Sequence, residues 1–175
     1  DRSRGGEEIA KMTVRRMPER DEFDEPELGL GYYAPRHMPD TFADTGVRKG
    51  YVRVRGQEVL DSFDRVSVLT RKLTSVHMVL TTRMEFTPKV HQHTAGIVLY
   101  YDNLNYLYLR KYYSDTLKQS ALSIVHAEKG TVKELTQTRT PVTEGAINLR
   151  LVIDGKETYF EWSCEGDWRR IGGKF

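Results

Sequence analysis

Twenty residues, Thr94 to Tyr113, read TAGIVLYYDNLNYLYLRKYY and constrain the fold more than any other stretch. β-Branched and aromatic residues fill two arms, Ala95–Tyr101 and Tyr106–Tyr113, and Asp102-Asn103-Leu104-Asn105 between them tolerates a chain reversal. The spacing predicts a β-hairpin. Its first arm is apolar on both faces, with Ile97 and Leu99 on one and Val98 and Tyr100 on the other, as suits a strand inside a two-layer structure. The second arm alternates: Leu107 and Leu109 point one way, and Tyr106, Tyr108, Arg110 and Tyr112 the other. The leucines predict a core. The aromatic row opposite is either a second buried layer or a surface made to meet a flat partner.

The rest of the chain from Gly50 onwards carries the same punctuation. Tyr51–Arg55 alternates and ends at Gly56, and Val66–Lys72 and Val76–Phe86 follow as expected strands. Beyond the hairpin, Ser120–Ala127 and Thr131–Thr138 alternate around Lys129-Gly130. Ala146–Ile153 and Lys156–Ser163 answer each other across Asp154-Gly155, a strong hairpin turn. In that pair Ile147, Leu149, Leu151 and Ile153, then Thr158, Phe160 and Trp162, are expected to face inward. Glu165-Gly166 turns into a last strand at Trp168–Ile171. Turns at roughly 8–12-residue intervals, and no convincing long helix, predict an all-β fold, a two-sheet antiparallel β-sandwich. Upstream, Pro18, Pro26, Pro35 and Pro39 break the text into loop, anchored by Phe23, Leu28, Leu30 and Tyr32, and Glu7–Met17 reads as a short helix or an edge strand.

At 175 residues the chain has length for one domain with its own core. Lys plus Arg number 27 against 25 for Asp plus Glu, a balance that argues against a nucleic-acid partner. No apolar run is long enough to span a bilayer as a helix, so no membrane partner is expected. Cys164 is alone, which rules out an internal disulfide. No leader is visible, and the chain opens at Asp1, as it would after removal of one.

The most enzyme-like string is Glu22-Phe23-Asp24-Glu25-Pro26-Glu27. Two carboxylates on one strand, roughly 5 Å apart across a sugar, are the apparatus of a retaining glycosidase. Pro26 cannot donate to a strand ladder, however, and the string lies among breakers, so solvated acids in an entry loop are the better reading. Asp21, Asp24 and Glu25 have the oxygen chemistry of a structural calcium site, at unspecific spacing. His91 and His93 lack an evident third ligand, and Cys164 lacks a partnering base. The aromatics remain. Sugar rings offer an apolar face and a hydroxyl rim, which suits Tyr platforms flanked by a charged donor, so Tyr106, Tyr108, Arg110 and Tyr112 are the candidate carbohydrate-binding or domain-contact residues.

These residues also carry a family resemblance. Asp21–Leu28, Gly50–Glu58, Ala95–Leu109, Leu149–Gly155 and Phe160–Ser163, closing on Gly166 and Trp168, resemble in order the C-terminal β-sandwich module of glycoside hydrolase family 43 β-xylosidases. The likeness spans about Glu19 to Ile171, which makes 19–175 the expected module and 1–18 a linker or the end of a preceding catalytic domain. It implies a concanavalin A-like jelly roll that performs no catalysis itself. In such enzymes an upstream five-bladed β-propeller carries three catalytic acids, and the module packs near its active-site mouth. Such modules are also regarded as xylan-binding. This family usually continues past the position of Phe175 into a further loop and closing strand, so the chain is expected to be a shortened module. The loop that reaches toward bound sugar lies in that continuation, so no pocket residue is carried over.

The sequence therefore predicts a non-catalytic accessory module of a xylan-degrading glycoside hydrolase, carbohydrate-binding or scaffolding, with xylan or xylo-oligosaccharide and an upstream propeller as partners. A purely structural domain supporting the propeller and a homo-oligomer is the alternative. A self-sufficient jelly-roll glycosidase using Glu22 and Glu27 is a third reading, against which Pro26 already speaks. An unpaired sheet edge left by the shortened module would invite self-association.

Overall fold

The computed structural model describes residues 18–175, so the expectation for Glu7–Met17 lies outside the described residues. Among those described, strands dominate, and the one helical element is a 3-10 turn at Pro39–Thr41. The chain divides into two compact units.

The first unit comprises residues up to Glu58 together with Asp64–Arg71. It holds a single short ladder, strand β1 (Ala43–Asp44) against β2 (Arg53–Val54). The strand expected over Tyr51–Arg55 thus contracts to two residues. Val66–Lys72, also expected as a strand, makes only isolated bridges, Glu58 with Val66 and Tyr33 with Thr70. An alternating pattern without a continuous neighbour to pair with does not make sheet. Phe42, Ala43, Val66 and Val68 are its buried hydrophobic residues, and Arg71 ties Pro18 in through Nη2 to the Pro18 carbonyl at 2.7 Å.

The second unit, Val59–Phe63 with Lys72–Phe175, holds two four-stranded antiparallel sheets. One is ordered β10-β9-β8-β3, from β3 (His77–Glu85), β8 (Ala146–Asp154), β9 (Glu157–Ser163) and β10 (Arg169–Ile171). The other is ordered β4-β5-β6-β7, from β4 (Thr94–Asp102), β5 (Asn105–Ser114), β6 (Gln119–Glu128) and β7 (Thr131–Pro141). The predicted hairpin is β4–β5, its reversal reduced to Asn103-Leu104 because Asp102 Oδ1 accepts both the Leu104 amide (2.8 Å) and the Asn105 side chain (2.9 Å). Gly155, at φ 63°, closes the β8–β9 hairpin in a left-handed conformation that costs glycine little.

Between the sheets, Ile97, Leu109, Leu122 and Ile124 from one meet Ile147, Leu149, Leu151, Phe160 and Trp162 from the other. The inward set predicted for β8 and β9 is the observed one, and the domain is all-β as expected. β4 leaves no room for a side chain at Gly96: a Cβ there would lie 1.9 Å from the Leu109 carbonyl oxygen. The β6–β7 pairing slips between Leu122 and Ile124, and the buried Thr138 repairs the break. Its hydroxyl accepts the Ile124 amide at 2.9 Å and donates to the Leu135 carbonyl at 2.6 Å.

Candidate functional site

The outer face of β5 carries the predicted residues, brought into one row by the two-residue period. Their cross-strand neighbours are small where room is needed: Gly96 and Ser123 flank Arg110, Ala121 lies beside Tyr112, and Ala127 beside Tyr106. This lets the large side chains fold down onto the sheet. Tyr106 and Tyr112 retain only 6% and 5% of their exposure, and Tyr108 is half-buried. Tyr106 stacks on Tyr100 at 6.3 Å between ring centroids, and Leu60 from the Val59–Phe63 segment packs on the same cluster with Val98, Val125 and Ala127. Burial pushes the Tyr108 hydroxyl up to about 12 and raises that of Tyr106, to which the nearby Asp61 charge adds.

Arg110 is equally committed. Its Nε donates to Ser123 Oγ at 3.1 Å, its guanidinium lies 4.4 Å from the centre of the Tyr112 ring, and Nη2 is 3.5 Å from Glu134 Oε1. Glu134, on β7, also accepts the Tyr112 hydroxyl at 3.1 Å and is gripped by Arg139 through Nε (3.0 Å) and Nη2 (2.8 Å). The Arg139 hydrogen bonds, outweighing the cost of burial and helped by Ser123, Arg110 and Tyr112, hold the Glu134 carboxyl at about 2. A carboxylate fixed in its ionised form between two arginines cannot deliver a proton near neutral pH. This knot ties β5 to β6 and β7, and Tyr106 and Tyr112 lie buried against the sheet.

Residues considered for chemistry stay apart. Glu22 pairs with Arg20, and the Glu22 and Glu27 side chains both stand in solvent. Asp21 spends its oxygens on the Phe23 amide (2.9 Å) and the Tyr32 hydroxyl (3.0 Å), while Asp24 and Glu25 are exposed. Among the described residues no group of three or more His, Cys, Asp or Glu side chains is placed to hold a metal ion, so Asp21, Asp24 and Glu25 do not form the calcium site considered for them. His91 finds a carboxylate that its sequence neighbourhood did not reveal, Asp115 at 3.4 Å, and His93 Nδ1 accepts the Lys89 amide at 3.5 Å. An open depression of about 470 Å³ lies among Pro88, Tyr113, Lys118, Val142 and Glu144, with Glu144 its one carboxylate.

Sequence reasoning missed Glu134 and Arg139, which the β7 irregularity brings together although an odd spacing sets them on opposite faces of a regular strand. It also missed Lys111. That side chain continues the inward Leu107, Leu109 row, is fully buried, and gives Nζ to the Gly145 carbonyl at 3.0 Å; burial lowers its pKa. The two-residue period from Leu109 was the available signal.

Two stacked antiparallel sheets enclosing a single apolar layer define a concanavalin A-like β-sandwich domain. Within that class, the chain belongs to the β-xylosidase C-terminal concanavalin A-like domain family, whose model matches residues 20–175. It is 24% identical over 89% of its length to a xylan 1,3-β-xylosidase of a Vibrio species, and 28% identical over 86% to a β-xylosidase of Bacillus subtilis strain 168. These matches take in 29% and 26% of the relatives, so the chain spans under a third of their length. Among solved structures, the xylan β-1,4-xylosidase from Bacillus halodurans C-125 aligns over 91% of this chain and 31% of its own, at 29% identity and a TM-score of 0.86. A family 43 protein from Bacillus licheniformis aligns over 87% of this chain and 29% of its own, at 26% identity and a TM-score of 0.77.

Proposed function

We propose that the chain is a non-catalytic scaffolding module of a xylan-degrading glycoside hydrolase of the β-xylosidase or arabinofuranosidase type, supporting a catalytic β-propeller in a longer polypeptide. The observation that carries this reading is the closed tyrosine row. Tyr106 and Tyr112 are buried, and Arg110 is held by Ser123, Tyr112 and Glu134. A sugar platform needs open ring faces and donors free to reach hydroxyls. Here the same residues fasten β5 to β4, β6 and β7, which favours scaffolding over xylan binding. Membership of the β-xylosidase C-terminal family and the exposed placement of Glu22 and Glu27 support a role without bond cleavage.

The test is titration of the chain with xylohexaose, followed by amide NMR shifts and calorimetry, beside a reducing-sugar assay on xylan. The expected result is no saturable shift at about 1 mM sugar, a free energy of roughly 4 kcal/mol at that dissociation constant, and no turnover. Saturable binding that Tyr108→Ala removes while the fold is retained would return the row to carbohydrate recognition. Sugar release by the purified chain would overturn the non-catalytic reading.

A further inference from the structure

Where β5 runs out, the layer between the two sheets opens into a depression. Tyr113 continues the inward row of Leu107, Leu109 and Lys111, and it faces Ser120, which continues the inward row of Leu122 and Ile124 on β6. Beyond this pair lie the 470 Å³ already described, walled by Pro88 and Lys89 after β3, Lys118 ahead of β6, and Val142 and Glu144 between β7 and β8. His91 and Asp115, 3.4 Å apart, join the loop that carries Lys89 to the turn that carries Lys118. Ser120 is only 5% exposed, yet its hydroxyl lines this space and meets no partner among the described residues; nor does the hydroxyl of the half-buried Tyr113. A nearly buried hydroxyl without a protein partner is an unfilled hydrogen-bonding position. Charge narrows what could fill it. Lys89 and Lys118 form no ion pair among the described residues, and they outnumber the one carboxylate, Glu144.

We propose that this depression binds a sugar acid of monosaccharide size, a polyhydroxylated ring that carries a carboxylate. Lys89 and Lys118 take the carboxylate, and the Ser120 and Tyr113 hydroxyls and Glu144 take ring hydroxyls. The Tyr113 ring, Pro88 and Val142 meet the C–H face of the sugar. Glu144 disfavours a phosphate dianion, which would meet a carboxylate on the same wall and find no arginine fork to hold it. A neutral sugar would leave both ammonium groups unanswered. The volume suits a small ligand, since such pockets begin at about 300 Å³. The site lies on the inward face of β5, away from the outer row of Tyr106, Tyr108 and Tyr112, so it stands whether or not that row meets xylan.

The test is titration of the whole chain with sodium D-glucuronate at constant ionic strength, followed by amide NMR shifts. Saturable shifts should be confined to residues 87–89, 113, 118–120 and 142–145. A Kd of about 1–10 mM is expected of an open site with few anchors. D-Glucose and acetate, which carry the ring or the carboxylate alone, should each bind at least about tenfold more weakly. Lys118 sits at φ 55°, where glycine is at ease, so Lys118→Gly removes the ammonium without straining the turn and should weaken glucuronate by about tenfold. Ser120→Ala removes a hydroxyl with no protein partner, and should weaken binding by about threefold while leaving the melting temperature within about 2 °C. No saturation by about 50 mM glucuronate, equal affinity for glucose or acetate, or binding that neither variant weakens would overturn the proposal.

Discussion

Glu134 offers the sharpest measurement of what the tyrosine face is for. Its carboxyl is held at about 2 against an ordinary 4.5, chiefly by the Arg139 hydrogen bonds. A difference of about 2.5 units corresponds to roughly 3.5 kcal/mol at about 1.4 kcal/mol per unit. About a fifth of the side chain still meets water, and screening there trims the figure to about 2 kcal/mol. Because the folded-state value is depressed, this stabilisation is complete above about 4.5 and drains away as the pH falls through about 2. Glu134→Gln keeps the shape but removes the charge, leaving Arg110 and Arg139 facing a neutral amide. Urea unfolding of both proteins at pH 7, 4.5, 3 and 2 separates this group from every other carboxylate, since only the difference between the curves counts. The variant should be less stable by about 2 kcal/mol at neutral pH, with the gap closing toward zero near the acid end. A gap that stays constant with pH, or none at pH 7, would show that the clamp contributes no electrostatic stability.

Two further substitutions probe the sheets. Gly96→Ala drives a methyl group to within 1.9 Å of the Leu109 carbonyl oxygen, which only separation of β4 from β5 can relieve. The expected loss is about 4 kcal/mol, or roughly 10 °C in thermal unfolding followed by circular dichroism; a change within a degree or two would mean that β4 and β5 adjust without cost. Lys111→Met removes a fully buried amine while keeping its length, and should raise stability by about 1 kcal/mol at pH 7 in urea titrations. Since burial lowers the lysine pKa, the wild type gains stability as pH climbs toward 10.5, so this advantage should shrink there; a net loss at pH 7 would mark the bond to Gly145 as worth more than the desolvation it requires.

Period-two alternation reached into the structure wherever a strand had neighbours. Ile147, Leu149 and Leu151 face the core because each is opposed by apolar residues of the second sheet, and Leu107 and Leu109 follow the same rule. The rule has no access to whether a partner exists. Tyr51–Arg55 alternates as cleanly as β8, yet only Arg53 and Val54 find a strand to pair with. Nor does it see a register slip. Glu134 and Arg139 become partners only because β7 is irregular, and Glu134 in turn decides the fate of the tyrosine row, drawing Arg110 and Tyr112 down onto the sheet. The choice between buried layer and open platform therefore could not be read from β5 itself. It lay in the size of what flanks β5, with Gly96, Ala121, Ser123 and Ala127 leaving space, and in one carboxylate two strands away. On β6 the two buried tyrosines each face an alanine, Tyr106 opposite Ala127 and Tyr112 opposite Ala121, whereas the half-buried Tyr108 faces Val98 and Val125.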